Sequence, residues 1–540
     1  MLTEHLPRVL LVEDEPQVYG TLLRRLANDG FSVTLARTYD EACQVLETED
    51  IHLAVIDVVL DAANPTNTDG IRVLEHIHSL GLRDILPCIV LTAYGTLPLA
   101  LKSMDLGVAR FIPKQPGRYI ADLRQTIQEK FDSAVKIGFH IEYVGESRQS
   151  IEQHIADIHE PDAGWKDAQQ LIPQVYDVLG KLFHGAKQLW IRRVVKGLSG
   201  SIVLEVHPTW QTGLGQSLIV KIGRRDKTLI EQQNYHRHVE HFLPRNHATQ
   251  INAHYTRHLG ALLYTLADTE AADTIEFQDF YHNRSAFEVV AALQGLFRTT
   301  CRLWYQGRTA PTRQSLRDLY LDAFYLRHQP GRLHKEIAAL RPNLDAHAAL
   351  VTFEALPGAA LPNPLRWLEA GNASVLAVCK SITHGDLNTR NILMNEDGQC
   401  WLIDFYRTYE SHILRDFVVL ETDIKFRLME TLAPELFLKF EQALVELTHP
   451  RDGISLDNDL PENAQKAAVV IVGLRAEAWR LLDATKSARH IQQEYLTSLL
   501  MATLNVLRLR HFREDPLLQP RRELALLSAA LMCQQLQRQG

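Results

Sequence analysis

Several common signatures are missing from this 540-residue chain. Its six cysteines (Cys43, Cys88, Cys301, Cys379, Cys400, Cys533) are scattered with no CxxC pair, so neither a disulfide framework nor a zinc ribbon is indicated. No apolar run approaches the ~18 residues needed to cross a bilayer. The longest obvious one is AAVVIVGL from Ala467, and no membrane association is expected. The opening MLTEHLPRVLLVEDEP has no basic start and turns acidic where a secretion signal stays apolar, which points to the cytoplasm. Positive charge is not in excess either: a net charge of −8 argues against a surface that coats nucleic acid. What is present is an ordinary soluble composition, 46% hydrophobic and 23% charged, on a chain too long for one core.

The first 131 residues alternate short apolar runs with amphipathic stretches of helix length. RVLLV (8–12), SVTLA (32–36), LAVID (53–57), CIVLT (88–92) and ARFIP (109–113) read as strands. Five such β-α units imply a doubly wound, five-stranded parallel sheet covered on both faces. Ligands of such sheets gather beyond the carboxyl ends of the strands. Glu13 and Asp14 follow the first strand, Asp57 ends the third, Thr92 ends the fourth, and Lys114 lies just past the fifth. Three crowded carboxylates call for a cation, and hard oxygen ligands suit Mg²⁺. Asp57 would then be a carboxylate nucleophile for a phosphoryl group, with Thr92 and Lys114 to bind the added oxygens. Loop solvation explains one aspartate at a strand end, but not five such residues gathered at the ends of four strands.

This region resembles a response-regulator receiver domain over residues 7 to about 131. The resemblance implies Asp57 as phosphoacceptor and Glu13, Asp14 and Asp57 as the Mg²⁺ site. It also implies a switch made of Thr92, Phe111 and Lys114. Two departures stand out. Eleven residues (VVLDAANPTNT) separate Asp57 from Asp69-Gly70, and Lys114 is followed by Gln115 before Pro116.

Residues 132–186 read as a linker or as an extension of the next domain. From Gln188, LWIRRVVKGLSGSIVLEVHP suggests two strands joined by a Gly-Ser turn, and SLIVKIG a third. Backbone N–H groups of Gly197, Ser199, Gly200 and Ser201 could approach a phosphate, and Lys221 could pair with it. Glu231 is read as opening the helix EQQNYHRHVEHFL. There it either orients Lys221 or merely favours a helix N-terminus. ALLYTLA (261–267) is a further strand. The remainder is helical in pattern, with one strand-like interruption.

That interruption is SITHGDLNTRNILMNEDGQCWLIDF, from Ser381 to Phe405. NILMN and CWLID read as a strand pair joined by EDGQ, with Asp386 and Asn391 in the loop ahead and Asp404 ending the second strand. Phosphoryl transfer needs a carboxylate beside the attacking hydroxyl and oxygen ligands that fix Mg²⁺ on nucleotide phosphates. Asp386 fits the first role, and Asn391 with Asp404 the second. His384 fits a bracing role.

The motif HGDLNTRN with IDF resembles the protein-kinase-like superfamily, in the style of aminoglycoside and choline phosphotransferases, more loosely over about 186–510. It is also similar to the kinase-like ternary complex associated domains fused to bacterial signalling modules. The resemblance implies a two-lobed domain: a β-rich N-lobe (187–266) and a helical C-lobe (267–540) with a catalytic loop at 383–405. It makes Lys221 and Glu231 a nucleotide pair, Arg415 and Asp416 loop supports, and ATP the phosphoryl donor. Tyr406 stands where eukaryotic protein kinases have Gly, and only eleven residues separate Asp404 from Asp416. Both favour the small-molecule branch, although a protein substrate stays open.

The resulting expectation is a cytoplasmic bacterial response regulator whose receiver controls an ATP- and Mg²⁺-dependent phosphotransferase. The alternative is a receiver coupled to a non-catalytic, nucleotide- or partner-binding pseudokinase scaffold. A sensor histidine kinase or phosphotransfer protein is implied as donor to Asp57, and a homodimer through the receiver is left open. No helix-turn-helix with a basic recognition helix follows the receiver, so no DNA partner is expected. Residues 302–341 carry eight Lys or Arg against three acids, interleaved with Trp304, Tyr305, Tyr320, Phe324 and Tyr325. Amphipathic helices that bury aromatics and solvate arginines explain this strip more simply than an anionic or nucleotide-like substrate does.

Overall fold

The computed structural model describes residues 7–61, 64, 67–93, 97–134, 140–144, 154, 171–196, 201–243, 248–266, 274–329, 331–342, 344–345, 347–370, 375–482 and 486–539. The chain forms two compact units, residues 1–229 with 250–264, and residues 230–249 with 265–540.

The first unit opens with β1 (Arg8–Val12), β2 (Ser32–Ala36), β3 (Leu53–Ile56), β4 (Cys88–Thr92) and β5 (Arg110–Pro113). They form one parallel sheet in the order β2-β1-β3-β4-β5. Between and after them run α1 (Pro16–Asn28), α2 (Tyr39–Thr48), α3 (Asp69–Ser79), α4 (Leu97–Asp105) and α5 (Tyr119–Ala134). Alternation within β1 shows why both faces must be covered. Val9 and Leu11 join a cluster with Leu22 of α1 and Leu123 of α5, while Leu10 and Val12 join one with Leu46 of α2 and Val73 of α3.

A second, mixed sheet follows in the same unit. It contains β6 (His140–Tyr143), β7 (Gln188–Lys196), β8 (Ile202–Trp210), β9 (Gly213–Leu214), β10 (Leu218–Arg224), β11 (Ala248–Tyr255) and β12 (Leu259–Leu266). Its order is β11-β12-β10-β8-β7-β6, with β9 paired to β8. The helix α6 (Leu171–Leu182) lays Leu171, Val175, Val178 and Leu179 on Ile191, Leu204, Val220 and Ala261. The described parts of 132–186 beyond α5 are therefore a strand and a helix of this sheet's core. After β10 comes α7 (Arg225–Asn234), which starts six residues before Glu231. Glu231 lies inside the helix with 2% exposure, so attraction to a helix N-terminus does not account for it.

The second unit is mainly helical, but it holds more strand than its periodicity suggests. Besides β13 (Ile275–Glu276), β19 (Ile392–Met394) and β20 (Cys400–Leu402), it contains three two-stranded pairs. These are β14 (Thr312–Ser315) with β17 (Val375–Val378), β15 (Leu350–Thr352) with β16 (Ala360–Pro362), and β18 (Lys380–Thr383) with β21 (Tyr409–His412). Strands of three or four residues are too short to show an alternation. Among the described residues, no helix is long and apolar enough to cross a membrane.

Candidate functional sites

The receiver-like site assembles from strand ends. Lys114 places Nζ 2.6 Å from Asp57 Oδ2 and 2.9 Å from the Glu13 carboxylate. Carboxylate oxygens of Glu13, Asp14 and Asp57 lie within 4.8 Å of one another. Burial pushes Glu13 up to about 7 against the pull of Lys114. Burial likewise raises Asp57, opposed by Lys114 and by hydrogen bonds from the Val59 N–H and the Thr92 hydroxyl. Burial alone would lower the Lys114 ammonium, but Asp57 and Glu13 outweigh it and hold it above its usual range. Two carboxylates with raised proton affinity beside a third make an oxygen donor set short of positive charge, which fits Mg²⁺.

Thr92 is fully buried, and Phe111 is half-buried on the α2–α3 side of the sheet. The Lys114 N–H donates to the Thr92 carbonyl at 2.8 Å, so Lys114 stays tied to β4 despite Gln115. The long loop after Asp57 closes back through Gly70, whose N–H reaches the Val58 carbonyl at 3.0 Å. A Cβ there would stand 1.9 Å from the Asp57 carbonyl oxygen. Asn67 orders the end of this loop by accepting from the Asp69 N–H at 2.8 Å.

At the opposite end of β3, the receiver sheet meets the second sheet. His52 Nε2 lies 2.9 Å from Asp177 Oδ2 of α6, and Arg8 N–H donates to His52 Nδ1 at 2.9 Å. With Nδ1 accepting, the neutral ring carries its proton on Nε2 and donates it to Asp177. Arg257 Nη1 donates to the Glu49 carbonyl at 2.8 Å, and Arg225 Nη2 to Leu80 at 3.1 Å. Sequence reasoning missed this junction, because contacts between residues 125 apart leave no local pattern.

In the second unit, β18 feeds the loop that carries His384, Asp386 and Asn391. Asp416, fully buried, accepts the N–H groups of His384 and Gly385, each at 2.8 Å, and the Tyr305 hydroxyl at 3.0 Å. Gly385 has φ +80, and a Cβ on it would stand 2.0 Å from the Arg407 carbonyl oxygen, so glycine is required. His384 is buried with Nε2 2.9 Å from the Ile403 carbonyl, which ties the loop to the segment that leads from β20 to Asp404. Asn391 Nδ2 donates to the Asp386 carbonyl at 2.8 Å, leaving its Oδ1 as the end available to a cation. Asp404 follows β20 in the left-handed region at φ +68, a strained conformation for a side chain other than glycine. Asn234 of α7 donates to the carbonyls of Phe405 and Tyr406 at 3.3 and 2.8 Å.

Arg415 does not pair with Asp416. It donates to the Ala323 carbonyl at 3.3 Å and lies over the Tyr409 and Phe324 rings. Asp423 was missed: it accepts the Thr389 N–H at 2.8 Å and the Thr389 hydroxyl at 2.5 Å. It stands seven residues after Asp416 on one helix, hence on the same face, and that spacing is the signal that could have found it. Lys221 is buried in β10 of the first unit, Glu231 is buried in the second, and Ser201 is buried ahead of β8. Gly197, Ser199 and Gly200 lie outside the described residues.

Comparison with known proteins matches two families along the chain, and the second match begins within the first unit. Residues 9–128 match the response regulator receiver domain, and residues 186–325 and 331–508 match ternary complex associated domain 9. The chain is 32% identical to the transcriptional regulatory protein GlrR of Escherichia coli over 106 residues, 20% of this chain and 22% of that protein. It is 32% identical to the response regulator MprA of Mycolicibacterium vanbaalenii over 107 residues, 20% of this chain and 43% of that one. It thus spans less than half the length of these curated relatives. Among solved structures, a CheY-like receiver domain protein from Methanospirillum hungatei is 29% identical, covering 24% of this chain and 94% of that one at a TM-score of 0.21. The non-phosphorylated HemR receiver domain from Leptospira biflexa is 33% identical, covering 23% and 92% at 0.20.

Proposed function

Because this chain belongs to the ternary complex associated domain 9 family and begins with a response regulator receiver domain, we propose that it couples two phosphoryl-transfer sites. The receiver places it in two-component phosphorelay signalling. Asp57 takes a phosphoryl group from a sensor histidine kinase or phosphotransfer protein. One carboxylate oxygen attacks phosphorus, the donor's bond to phosphorus breaks, and Lys114 balances the charge left on the oxygens. Glu13, Asp14 and Asp57 would hold Mg²⁺, whose charge offsets that of the incoming oxygens. Thr92 and Phe111 then carry the change toward the α4 and β5 face.

The C-terminal domain is an ATP-dependent phosphotransferase in this reading. Asp386 orients the attacking hydroxyl and accepts its proton, while Asn391 and Asp404 would hold Mg²⁺ on the nucleotide. The observation that carries the reading is the strained Asp404, just past β20 and next to Ile403, whose carbonyl is tied to the Asp386 loop through His384. Strain of this kind persists where a site needs a fixed geometry. Lys221, Glu231 and Ser201 are each assigned to nucleotide binding in the same reading.

Thermal denaturation with and without MgATP tests the reading. A ligand at 100 times its Kd stabilises by about 2.7 kcal/mol. The wild type should show a Mg²⁺-dependent rise in Tm that Asp404→Ala removes. No response in either protein overturns nucleotide binding at this site and leaves the partner-binding scaffold.

A further inference from the structure

Four of the five aromatic residues singled out in the basic strip at 302–341 are core: Trp304, Tyr305, Tyr320 and Phe324 are all buried. Tyr325 is the exception. Its φ is +56, unusual for a bulky residue, and its side chain is 43% exposed, so burial does not explain the conformation.

Three guanidinium groups gather around the Phe324-Tyr325 pair. Arg407 lies 5.3 Å over the Tyr325 ring. Arg415 lies 5.9 Å over the Phe324 ring, and Arg508 donates to the Phe324 carbonyl. The Arg415 guanidinium abuts the catalytic loop, since a Cβ on Gly385 would meet Arg415 Cζ at 3.1 Å, and the backbone of Arg407 passes the same glycine, its carbonyl oxygen 2.0 Å from that Cβ. Asp386 is the next residue.

The charge here is unbalanced. Arg415 is 0% exposed, and its Nε and Nη1 have no hydrogen-bond partner among the described residues. Nor, among the described residues, does a carboxylate stand within ion-pair distance of Arg407, Arg415 or Arg508. Glu336, whose field reaches Arg508, is already taken by Arg513 at 2.9 Å and Arg522 at 3.0 Å. Burial, together with Arg407 and Arg332, pushes Arg508 down to about 10. Keeping cations this close without a counter-charge is unfavourable, and a bound anion would relieve it.

We propose that Arg407, Arg415 and Arg508, gathered around Phe324-Tyr325, form an anion subsite that seats a phosphate- or carboxylate-bearing small molecule beside Asp386. Arg407 and Arg508, both half-buried, touch the anion, while Arg415 supplies fixed positive charge. That this molecule is the acceptor substrate rests on the phosphotransferase reading, but the binding itself does not.

The test uses the full chain in EDTA without nucleotide, which silences Mg²⁺-dependent binding at both other sites. Tm is followed against inorganic phosphate or citrate, with KCl at matched ionic strength as reference. We expect saturable stabilisation by at least one of the two anions, and which one responds identifies the recognised group. Arg407→Gln and Arg508→Gln should each weaken it at least tenfold, while Asp57→Asn and Asp404→Ala leave it unchanged. If Arg508→Gln does not fold, Arg407→Gln decides, because the Arg407 guanidinium makes no hydrogen bond among the described residues. A response no larger than that of KCl, one that survives the arginine substitutions, or one lost in Asp404→Ala overturns the proposal. Failure of nucleotide binding leaves this result readable.

Discussion

In the receiver, three carboxylates from two loops crowd the carboxyl ends of the strands, and Lys114 pairs with two of them, Glu13 and Asp57. In the C-terminal domain, Asp386, Asn391 and Asp404 are strung along one loop and hairpin, and the buried carboxylate, Asp416, is spent on backbone N–H groups. The first arrangement keeps unfavourable charge in readiness for a metal and a phosphoryl group. The second uses charge to fix a loop. Both nonetheless rely on a glycine that lets backbone approach backbone: Gly70 against the Asp57 carbonyl and Gly385 against that of Arg407.

The sharpest way to break the comparison is chemical. Asp57→Asn should abolish phosphoryl incorporation from a small phosphodonor and leave MgATP binding intact. Asp386→Asn should do the reverse: normal incorporation at the receiver, near-normal MgATP affinity, and turnover reduced ~10²–10⁴-fold. Equal loss of MgATP binding in Asp386→Asn and Asp404→Ala would instead make Asp386 a ligand for the metal.

Stability separates the two carboxylate uses next. Asp416→Ala leaves two buried N–H groups and the Tyr305 hydroxyl without their acceptor, at ~1–3 kcal/mol each, so a loss of at least ~3 kcal/mol is expected in denaturant titration. Glu13→Gln should be neutral or stabilising without Mg²⁺, because it removes a carboxylate whose charged form burial disfavours. A Glu13→Gln protein as damaged as Asp416→Ala would erase the distinction.

Titration sharpens it further. With Glu13 at about 7 when folded and 4.5 as the reference, the folded protein holds a proton that the unfolded chain has released between those values. That contribution to stability is present at low pH and is lost as pH rises through about 7. Mg²⁺ needs the deprotonated carboxylate, so its affinity should climb with pH up to about 7, by at most tenfold per unit. Calorimetry in buffers of different ionisation enthalpy would count the released proton, and a pH-independent affinity between 5 and 7 would contradict the shift.

How much of this was legible depended on distance along the chain. Glu13, Asp57, Thr92 and Lys114 are far apart, yet each follows an apolar run, and the rule that such sheets bind ligands at their strand ends brings them together. Asp386, Asn391 and Asp404 were legible because loop and hairpin are contiguous. Asp423 and Tyr305 were hidden inside amphipathic helices, where an inward polar group looks like one more interruption of the pattern. Arg407, Arg415 and Arg508 were equally silent, since nothing local shows that three distant arginines share one aromatic pair. The register of α7 was misread because its first turn, RDKTLI, carries more charge than an amphipathic start usually shows.

The smallest expected effect concerns control of one site by the other. Phosphorylation is expected to draw Thr92 inward and let Phe111 fill the vacated space, altering the α4–β5 face, yet the receiver is held to the second sheet at the opposite end of β3. His52 precedes β3 while Asp57 follows it, so a signal that uses this junction must cross the length of that strand. Coupling requires the two states of the receiver to differ in free energy at this junction, not merely to touch it. Arg257 is the informative handle: it grips the backbone of Glu49 and not a side chain that titrates or binds metal. With beryllofluoride and Mg²⁺ as the phosphate mimic, the wild type should change its phosphotransferase rate or nucleotide affinity, and Asp57→Asn should not. Arg257→Ala should bind the mimic normally and lose part of that response, roughly 2–30-fold for a coupling change of about 0.5–2 kcal/mol. If the wild type binds the mimic without altering rate or affinity, the receiver acts on partner choice or self-association. If Arg257→Ala keeps the full response, the signal leaves by the α4–β5 face, and the junction serves only to hold the two sheets together.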